Sequence, residues 1–431
     1  MPPDILKSHY DTHQKVSDIE LIWWPWVNTD NRTKRVPFEE EIVDKILSEK
    51  CGSCFITNNL LYQNQARAIL FDTTYLFQYL HGSNRSVPMP ATRPYDQYWV
   101  GRWRESSGKG ANKIYNLRNN TGHFNGFDKS FNLTGGYRRD ADIYYNPLGT
   151  PHRLYLATQR EIKLGITNDK ILEHKVSKSV AISMVSNCGN TKEAKNRIAV
   201  IKKLLERGLK ITGIGGCFKN LEKRYENLNY ISDRGDKTPS KFDRKILREH
   251  KFYLAFENAL HCRDYVSEKV WRNSYGNLAV PVVLGPWRDD IFKQAPKKSF
   301  IFVEDFKSPD DLIDYLNYLD RNDTAYMEYF EWRNHVDHEL NGEGPEYDYL
   351  HKYTSYADSL ADQMCKICTL MRNYQGRNWP KKTITSYSHY VWMDQPDKNC
   401  TGTDLKLEQY FDANTMYLPA RSDLYTYANK P

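Results

Sequence analysis

The sequence predicts an α/β protein with two doubly wound, Rossmann-like domains, and three stretches carry that prediction. In Lys251 to Pro286, the apolar runs Phe252-Tyr253-Leu254-Ala255-Phe256 and Val280-Pro281-Val282-Val283-Leu284 flank a segment in which Val270, Trp271, Tyr275 and Leu278 form a packed face. Short apolar runs bounded by turn residues read as buried strands, so this is a β-α-β unit. Upstream, Ala181–Val185 and Leu209–Ile214 bracket Ala194, Ile198, Ile201 and Leu205 at helical spacing, with Gly208 as a stop. Near the N-terminus, Ile19–Trp26 and Ala66–Phe71 read as strands, each followed by a helix, at Val43–Leu47 and Asp72–Leu80. Such alternation builds parallel sheets.

In order along the chain, residues 1–18 read as a loose stem and 19–165 as an N-terminal domain. Gln97–Arg104 is a strand ending at Glu105-Ser106-Ser107-Gly108. Residues 108–130, rich in Gly, Asn and Lys, form a loop of a length that often carries function, with disorder as the plainer alternative. The Lys-rich stretch 150–178 reads as the interdomain connection. Residues 166–375 make the second domain, completed by a strand at Phe300–Val303 and a helix at Pro309–Leu319. Residues 376–431 form a C-terminal extension. Ser267 is a good N-cap that places Glu268 and Lys269 in the first turn of the helix after the central strand.

The chain has 431 residues, 40% of them hydrophobic, and a net charge of +7. That length supports domains with sizeable cores. Lys and Arg are spread evenly, so the charge reads as a solvated surface and not as a nucleic-acid face. A local positive excess would suit a diphosphate ligand. Cys51, Cys54, Cys188, Cys217, Cys262, Cys365, Cys368 and Cys400 form an even set. The pairs Cys51/Cys54 and Cys365/Cys368 permit a long-range zinc site. Sequons at Asn31, Asn84, Asn119, Asn132, Asn322 and Asn399 favour an oxidising lumen, where the cysteines would be disulfides. Cys188 and Cys217 fall at strand ends on one sheet edge, which favours a bridge between them. Cys51 and Cys54 could pair with Cys365 and Cys368. No run reaches the ~18 apolar residues of a membrane span, and no signal peptide is evident.

Four blocks carry a family resemblance. Phe256-Glu257-Asn258, then Asp264-Tyr265-Val266-Ser267-Glu268-Lys269, then Val280–Pro286 resemble the donor signature of the α1,3-fucosyltransferases, glycosyltransferase family 10. Phe131–Ile143 (FNLTGGYRRDADI), with Pro147-Leu148-Gly149 after it, resembles that family's second block. Residues 324–334 and 359–368 follow its C-terminal order. The resemblance covers roughly residues 20–370. It implies a GT-B architecture, with two Rossmann-like domains facing a cleft: acceptor in the N-terminal domain, GDP-fucose in the C-terminal one. It also implies inverting transfer from GDP-β-L-fucose to an α1,3-fucoside on a GlcNAc of a glycoprotein or glycolipid glycan. No metal or cofactor is required, although Mn²⁺ stimulation is compatible. The family is Golgi-resident and type II, so a luminal enzyme is expected, with a membrane anchor that this sequence lacks. Two alternatives stand beside it: a core α1,3-fucosyltransferase acting on the Asn-linked GlcNAc of N-glycans, and an inactive glycan- or nucleotide-sugar-binding relative.

The chemistry requires a base for the acceptor hydroxyl, cations for the departing diphosphate and a pocket for sugar and base. Glu105, in Trp103-Arg104-Glu105-Ser106, matches the family's general base; the proline that commonly follows is Ser107 here. Lys269, with the amides of its helix start, is an anion site. Arg197, after Ser186-Asn187, matches the arginine that contacts the phosphates. Glu268 could accept from the ribose hydroxyls, or simply complement the helix dipole. Glu257 and Asn258 end a buried strand and line the donor pocket or cap a loop. Tyr265 packs on guanine, on the sugar or in the core. Asp140 and Asp142 invite a metal-binding DxD reading. Their place in the first domain argues against it, and Arg138 with Asp142 reads as an internal salt bridge or cleft-shaping set.

Overall fold

The computed structural model describes residues 19–23, 55–57, 64–73, 94, 97–103, 130–144, 146, 149–188, 192–232, 245–341 and 360–374. The chain divides into two compact units: residues 1–105, 113–147 and 354–397 in one, and 106–112, 148–353 and 398–431 in the other. Each holds one parallel six-stranded sheet, as expected for a pair of Rossmann-like domains.

The first unit contains β1 (Ile19–Trp23), β2 (Phe55–Thr57), β3 (Ala68–Asp72), β4 (Tyr98–Trp103), β5 (Leu133–Gly136) and β6 (Ile143–Tyr144). They lie in the order β2-β1-β3-β4-β5-β6. In the second unit, β7 (Ala181–Met184), β8 (Ile211–Ile214), β9 (Leu228–Ile231), β10 (Phe252–Phe256), β11 (Val280–Leu284) and β12 (Ile301–Phe302) lie in the order β12-β11-β10-β7-β8-β9. This is the doubly wound order, with connections running outward in opposite directions from β7 and β10. The crevice where such an order reverses is the place in an open α/β sheet where ligands bind.

β10 is apolar throughout because both of its faces are covered. Phe252, Leu254 and Phe256 enter the core on one face, whereas Tyr253 and Ala255 enter the core on the other. The first core takes Ile198, Ile201, Leu204 and Leu205 from α2 (Lys192–Glu206), the helix after α1 (Pro151–Lys163). The second takes Val270, Trp271 and Tyr275. The connections after β7 and β10 therefore cover opposite faces, and both begin at the switch point.

Three expectations about the elements change. The stretch 150–178 is not a bare connection: α1 is capped by Thr150, whose hydroxyl accepts from Arg153 N at 3.3 Å, with Pro151 in its first turn. Its Leu154 and Tyr155 pack in the second unit's core, which moves the boundary from 165/166 to 147/148. The helix expected after Ser267 is a π-helix over Lys269–Ser274 followed by a 3₁₀ turn over Tyr275–Asn277. Tyr275 N reaches back to Val270 O, and the Ser274 hydroxyl donates to Lys269 O at 2.6 Å, which stabilises the widened turn. Finally, the 359–368 segment belongs to the first unit. Met364, Ile367, Cys368 and Met371 of α3 (Leu360–Tyr374) lie on Ala68, Leu70, Val100, Leu133 and Ile143.

Cys188 and Cys217 are disulfide-bonded as expected. Their separation of 29 residues corresponds to roughly 3–4 kcal/mol in the chain-entropy description. Cys262, Cys365 and Cys368 are disulfide-bonded as well, and bonded sulfurs are not available to zinc. Cys51, Cys54 and Cys400 lie outside the described residues, as do Asn31, Asn84, Asn119 and Asn399. Asn132 is corrected as a glycosylation site: it is buried, and its Oδ1 accepts from Trp99 N at 2.9 Å, tying β4 to the start of β5. Asn322 is half-buried and caps a short helix through Ala325 N. The helix placed at 43–47, residues 74–80 of the helix placed at 72–80, residues 108–129 of the long loop and the extension 376–431 also fall outside the described residues; Asp72, expected to open a helix, ends β3. Among those described, no helix is long and apolar enough to cross a membrane.

At the N-terminal edge of the second sheet, His250 Nδ1 faces Ile246 O at 2.8 Å. A carbonyl only accepts, so that nitrogen carries the proton, and Nε2 accepts from Ser177 and Thr212 at 2.8 and 2.7 Å. Burial, reinforced by the nearby Lys175, pushes the imidazole down to about 4, with the Ile246 carbonyl opposing. An unfolded histidine takes its proton near 6.5, so between these values the unfolded chain binds more protons. This contribution to stability is complete above pH 6.5 and is lost as the pH falls toward 4, by about 3 kcal/mol in all. Urea unfolding between pH 7.5 and 4.5 should show this loss, and His250→Gln should flatten it. Equal slopes for the two proteins would contradict the assignment.

Candidate active site

The last peptide of β10 is the pivot of the site. The Phe256 carbonyl accepts from Arg197 NH1 at 3.3 Å, and NH2 of the same guanidinium donates to Asn187 O at 3.0 Å. Arg197, from the first turns of α2, thus bridges the ends of β7 and β10 across the switch point. Its side chain is buried, and Nε has no partner among the described residues. Burial pulls its pKa down, with Glu257 foremost among the groups opposing, and the guanidinium stays charged.

The next residue, Glu257, has a side chain at 0% exposure. Its Oε1 accepts from Ser267 N at 2.8 Å; Oε2 accepts from the Ser267 hydroxyl at 2.7 Å and from Lys269 Nζ at 2.9 Å. Lys269 Nζ also donates to Ser267 Oγ at 2.8 Å and, more weakly, to Glu268 Oε1 at 3.4 Å. Burial acts to lower the Lys269 pKa, but Glu257 and Glu268 outweigh it and hold the ammonium above its ordinary value. Burial raises Glu268 and Lys269 lowers it, with a net depression. Gly285, at the end of β11, explains its own presence here. With φ +126, it sits where a Cβ would lie 2.6 Å from Glu257 Cβ.

Several expectations are sharpened or corrected. The amides at the helix start do not form an open anion site. Ser267 N is held by Glu257, Lys269 N lies 3.4 Å from Ser267 Oγ, and Val270 N is bonded to Ser267 O. The local positive excess is also absent among these four: Arg197 and Lys269 face Glu257 and Glu268, a neutral balance. Asn258 Oδ1 accepts from the buried Tyr265 hydroxyl at 3.1 Å. Ser186 is exposed, and Asn187, half-buried, directly precedes Cys188 of the Cys188–Cys217 bridge. Glu105 lies outside the described residues, two positions beyond β4. In the first unit, Arg138 pairs with Asp140 at 2.9 and 2.6 Å, not with Asp142. Asp142 instead accepts from the Thr134 amide and hydroxyl, both at 2.9 Å. Arginine prefers a carboxylate it can grip with two nitrogens, and Asp140 offers that geometry.

Two groups take part beyond what their local sequence indicates. Ser267 is a junction between Glu257 and Lys269, and its identity as a cap residue was the only local signal. His261, with φ 52, stacks on Trp287 at 4.3 Å and shares a 2.8 Å hydrogen bond with Glu304. It lies in the same strand-end loop, and no local pattern predicts its partners.

Comparison with known proteins decides the family. The profile described as "Glycosyltransferase family 10 (fucosyltransferase) C-term" matches residues 174–388, and "Fucosyltransferase, N-terminal" matches residues 16–147. The chain belongs to the family 10 fucosyltransferases. It is 31% identical over 318 residues to the bovine 3-galactosyl-N-acetylglucosaminide 4-alpha-L-fucosyltransferase FUT3, covering 73% of this chain and 72% of that one. It is 31% identical over 314 residues to the human 4-galactosyl-N-acetylglucosaminide 3-alpha-L-fucosyltransferase FUT5, covering 73% and 69%. A solved alpha1,3-fucosyltransferase with GDP-fucose superimposes with a TM-score of 0.45 at 16% identity, covering 84% of this chain and 92% of that one. In this fucosyltransferase, the end of β10 carries the FEN block, and the DYVSEK block folds back onto it through Ser267 and Lys269.

Removing one member of a buried ion pair leaves the other charged and uncompensated, at a cost of about 3–5 kcal/mol. Lys269→Met should lower stability by that order, and Lys269→Met combined with Glu257→Leu should recover most of it. Thermal unfolding of the single and double variants measures this. A double variant no more stable than the single would contradict the pairing.

Proposed function

We propose that this fucosyltransferase moves fucose from GDP-β-L-fucose to a hydroxyl of a GlcNAc-containing glycan, forming an α1,3 linkage with inversion. Family membership supports fucosyl transfer. The observation that carries the donor assignment is Arg197 spanning the switch point with Lys269 on the other side of the same strand end. Two buried or near-buried cations at a β-α-β crevice suit a diphosphate leaving group, because charge developing there is stabilised without reorganisation. In this reading Glu268, held ionised, faces the ribose, and Asn258 with Tyr265 shapes the wall of the donor pocket.

Glu105 is the proposed base. The acceptor oxygen attacks the anomeric carbon of fucose and gives its proton to the Glu105 carboxylate. The bond from that carbon to the diphosphate oxygen breaks, and GDP leaves with the electron pair toward Lys269 and Arg197. Nothing in this sequence of events calls for a metal. The proposed site of action is the Golgi lumen, in keeping with the disulfides, which persist in oxidising compartments.

Transfer from GDP-fucose to a lactosamine oligosaccharide and to a core N-glycan peptide, with EDTA present, tests the reading. Fucosylation of one acceptor is expected and names the acceptor class. No transfer to either, with GDP binding intact and Mn²⁺ without effect, would contradict it. Glu105→Gln should reduce turnover by about 10²-fold or more while GDP binding persists. Near-normal turnover would place the base elsewhere.

A further inference from the structure

We infer that Glu257 is a positioning residue that acts through Lys269: it keeps the Lys269 ammonium charged and aimed at the strand end, and it does not itself contact the donor. The inference rests on the donor assignment above. The carboxylate has no exposed surface and both oxygens are engaged, by Ser267 N, the Ser267 hydroxyl and Lys269 Nζ. A group sealed in this way has no direction left in which to meet a ligand. Gly285 adds to the seal, since only a residue without a side chain leaves room for the Glu257 methylenes.

The Lys269 ammonium has three N–H bonds. Two point to Glu257 and Ser267 at 2.9 and 2.8 Å, and the third to Glu268 at 3.4 Å. The long contact to the half-exposed Glu268 is the one a phosphate oxygen can take over, while the two short contacts keep the side chain in place. The groups acting on Lys269 are Glu257 just after β10, Glu268 beside it and Arg197 from α2, with Tyr253 of β10 near enough to feel its charge. Arg197 and burial both favour the neutral amine, so Glu257 and Glu268 are what maintain the cation. Glu257 is the nearer, and it is the more deeply buried.

The variant Glu257→Gln separates this role from a merely structural one, because the two predict different pH behaviour of GDP binding. With the carboxylate removed, burial and Arg197 prevail over Glu268, and by pH 9 about four-fifths of Lys269 should be neutral. At pH 6.5, where Lys269 is charged in both proteins, the variant should bind GDP at least as tightly, since a negative charge has been removed from the site. At pH 9 it should bind at least about fivefold more weakly. Combining Glu257→Gln with Lys269→Arg, whose side chain does not titrate, should remove this pH dependence. Glu257→Asp should lie between wild type and Glu257→Gln, and it carries the test should the glutamine variant not fold.

Calorimetric titration of the full chain with GDP at both pH values reads the outcome. A pH profile for Glu257→Gln parallel to that of the wild type overturns the inference, whether affinity is unchanged or uniformly reduced. The same holds for Glu257→Asp if it must stand in. Failure of the wild type itself to bind GDP would instead overturn the donor assignment beneath it.

Discussion

A buried carboxylate and a buried ammonium sit at the end of the central strand, and the surrounding structure is arranged to keep them there. Taking either charge out of water alone costs several kcal/mol, a large part of the 5–15 kcal/mol that holds a typical domain together. Glu257 and Lys269 avoid that penalty only as a pair, with Ser267 supplying the remaining hydrogen bonds. The widened turn after Lys269, capped by Ser274, and the bare backbone at Gly285 both fit this local geometry. Gly149 follows the same logic one shell out. Its φ of +138 and its closeness to Trp271, where a Cβ would lie 2.3 Å from the Trp271 Cβ, let the chain entering the second unit pass close behind the π-helix.

The doubly wound topology explains why cations from two separate connections converge. β7 and β10 are adjacent, yet their following connections cover opposite faces of the sheet. Each connection begins with a polar turn, and both turns emerge at the same edge. Arg197 takes advantage of this by bonding one carbonyl from each strand end. A diphosphate-binding place therefore follows from strand order, and the side chains refine it.

Much of this was legible in the sequence. The runs at 252–256 and 280–284 had no polar positions, which marks parallel strands buried on both faces, and the polar pair after Phe256 marked the strand end. α1 is the exception: the Lys-rich stretch 150–178 reads as a connection, yet Thr150 and Pro151 make a sound helix start and Leu154 and Tyr155 reach the core. The π-helix was beyond reach: Val270, Trp271, Tyr275 and Leu278 fit an α-helix about as well, and only the Ser274 hydroxyl on Lys269 O reveals the difference. Asn132 illustrates the same limit. A sequon is a local pattern, but burial between β4 and β5 is decided by tertiary packing. The Glu257–Lys269 pair lay twelve positions apart, and nothing local foretold that the glutamate would be sealed beneath the lysine instead of facing the ligand.

The central claim is that Glu257 holds Lys269 as a cation inside the protein. It is tested most directly on the wild-type chain by following the ¹⁵Nζ resonance of Lys269 against pH, with Lys269→Arg for assignment. The account predicts an amine that keeps its proton above the ordinary lysine value of about 10.4. Titration below that value, with Glu257 in place and the protein folded, would mean that burial prevails over the carboxylate and would contradict it.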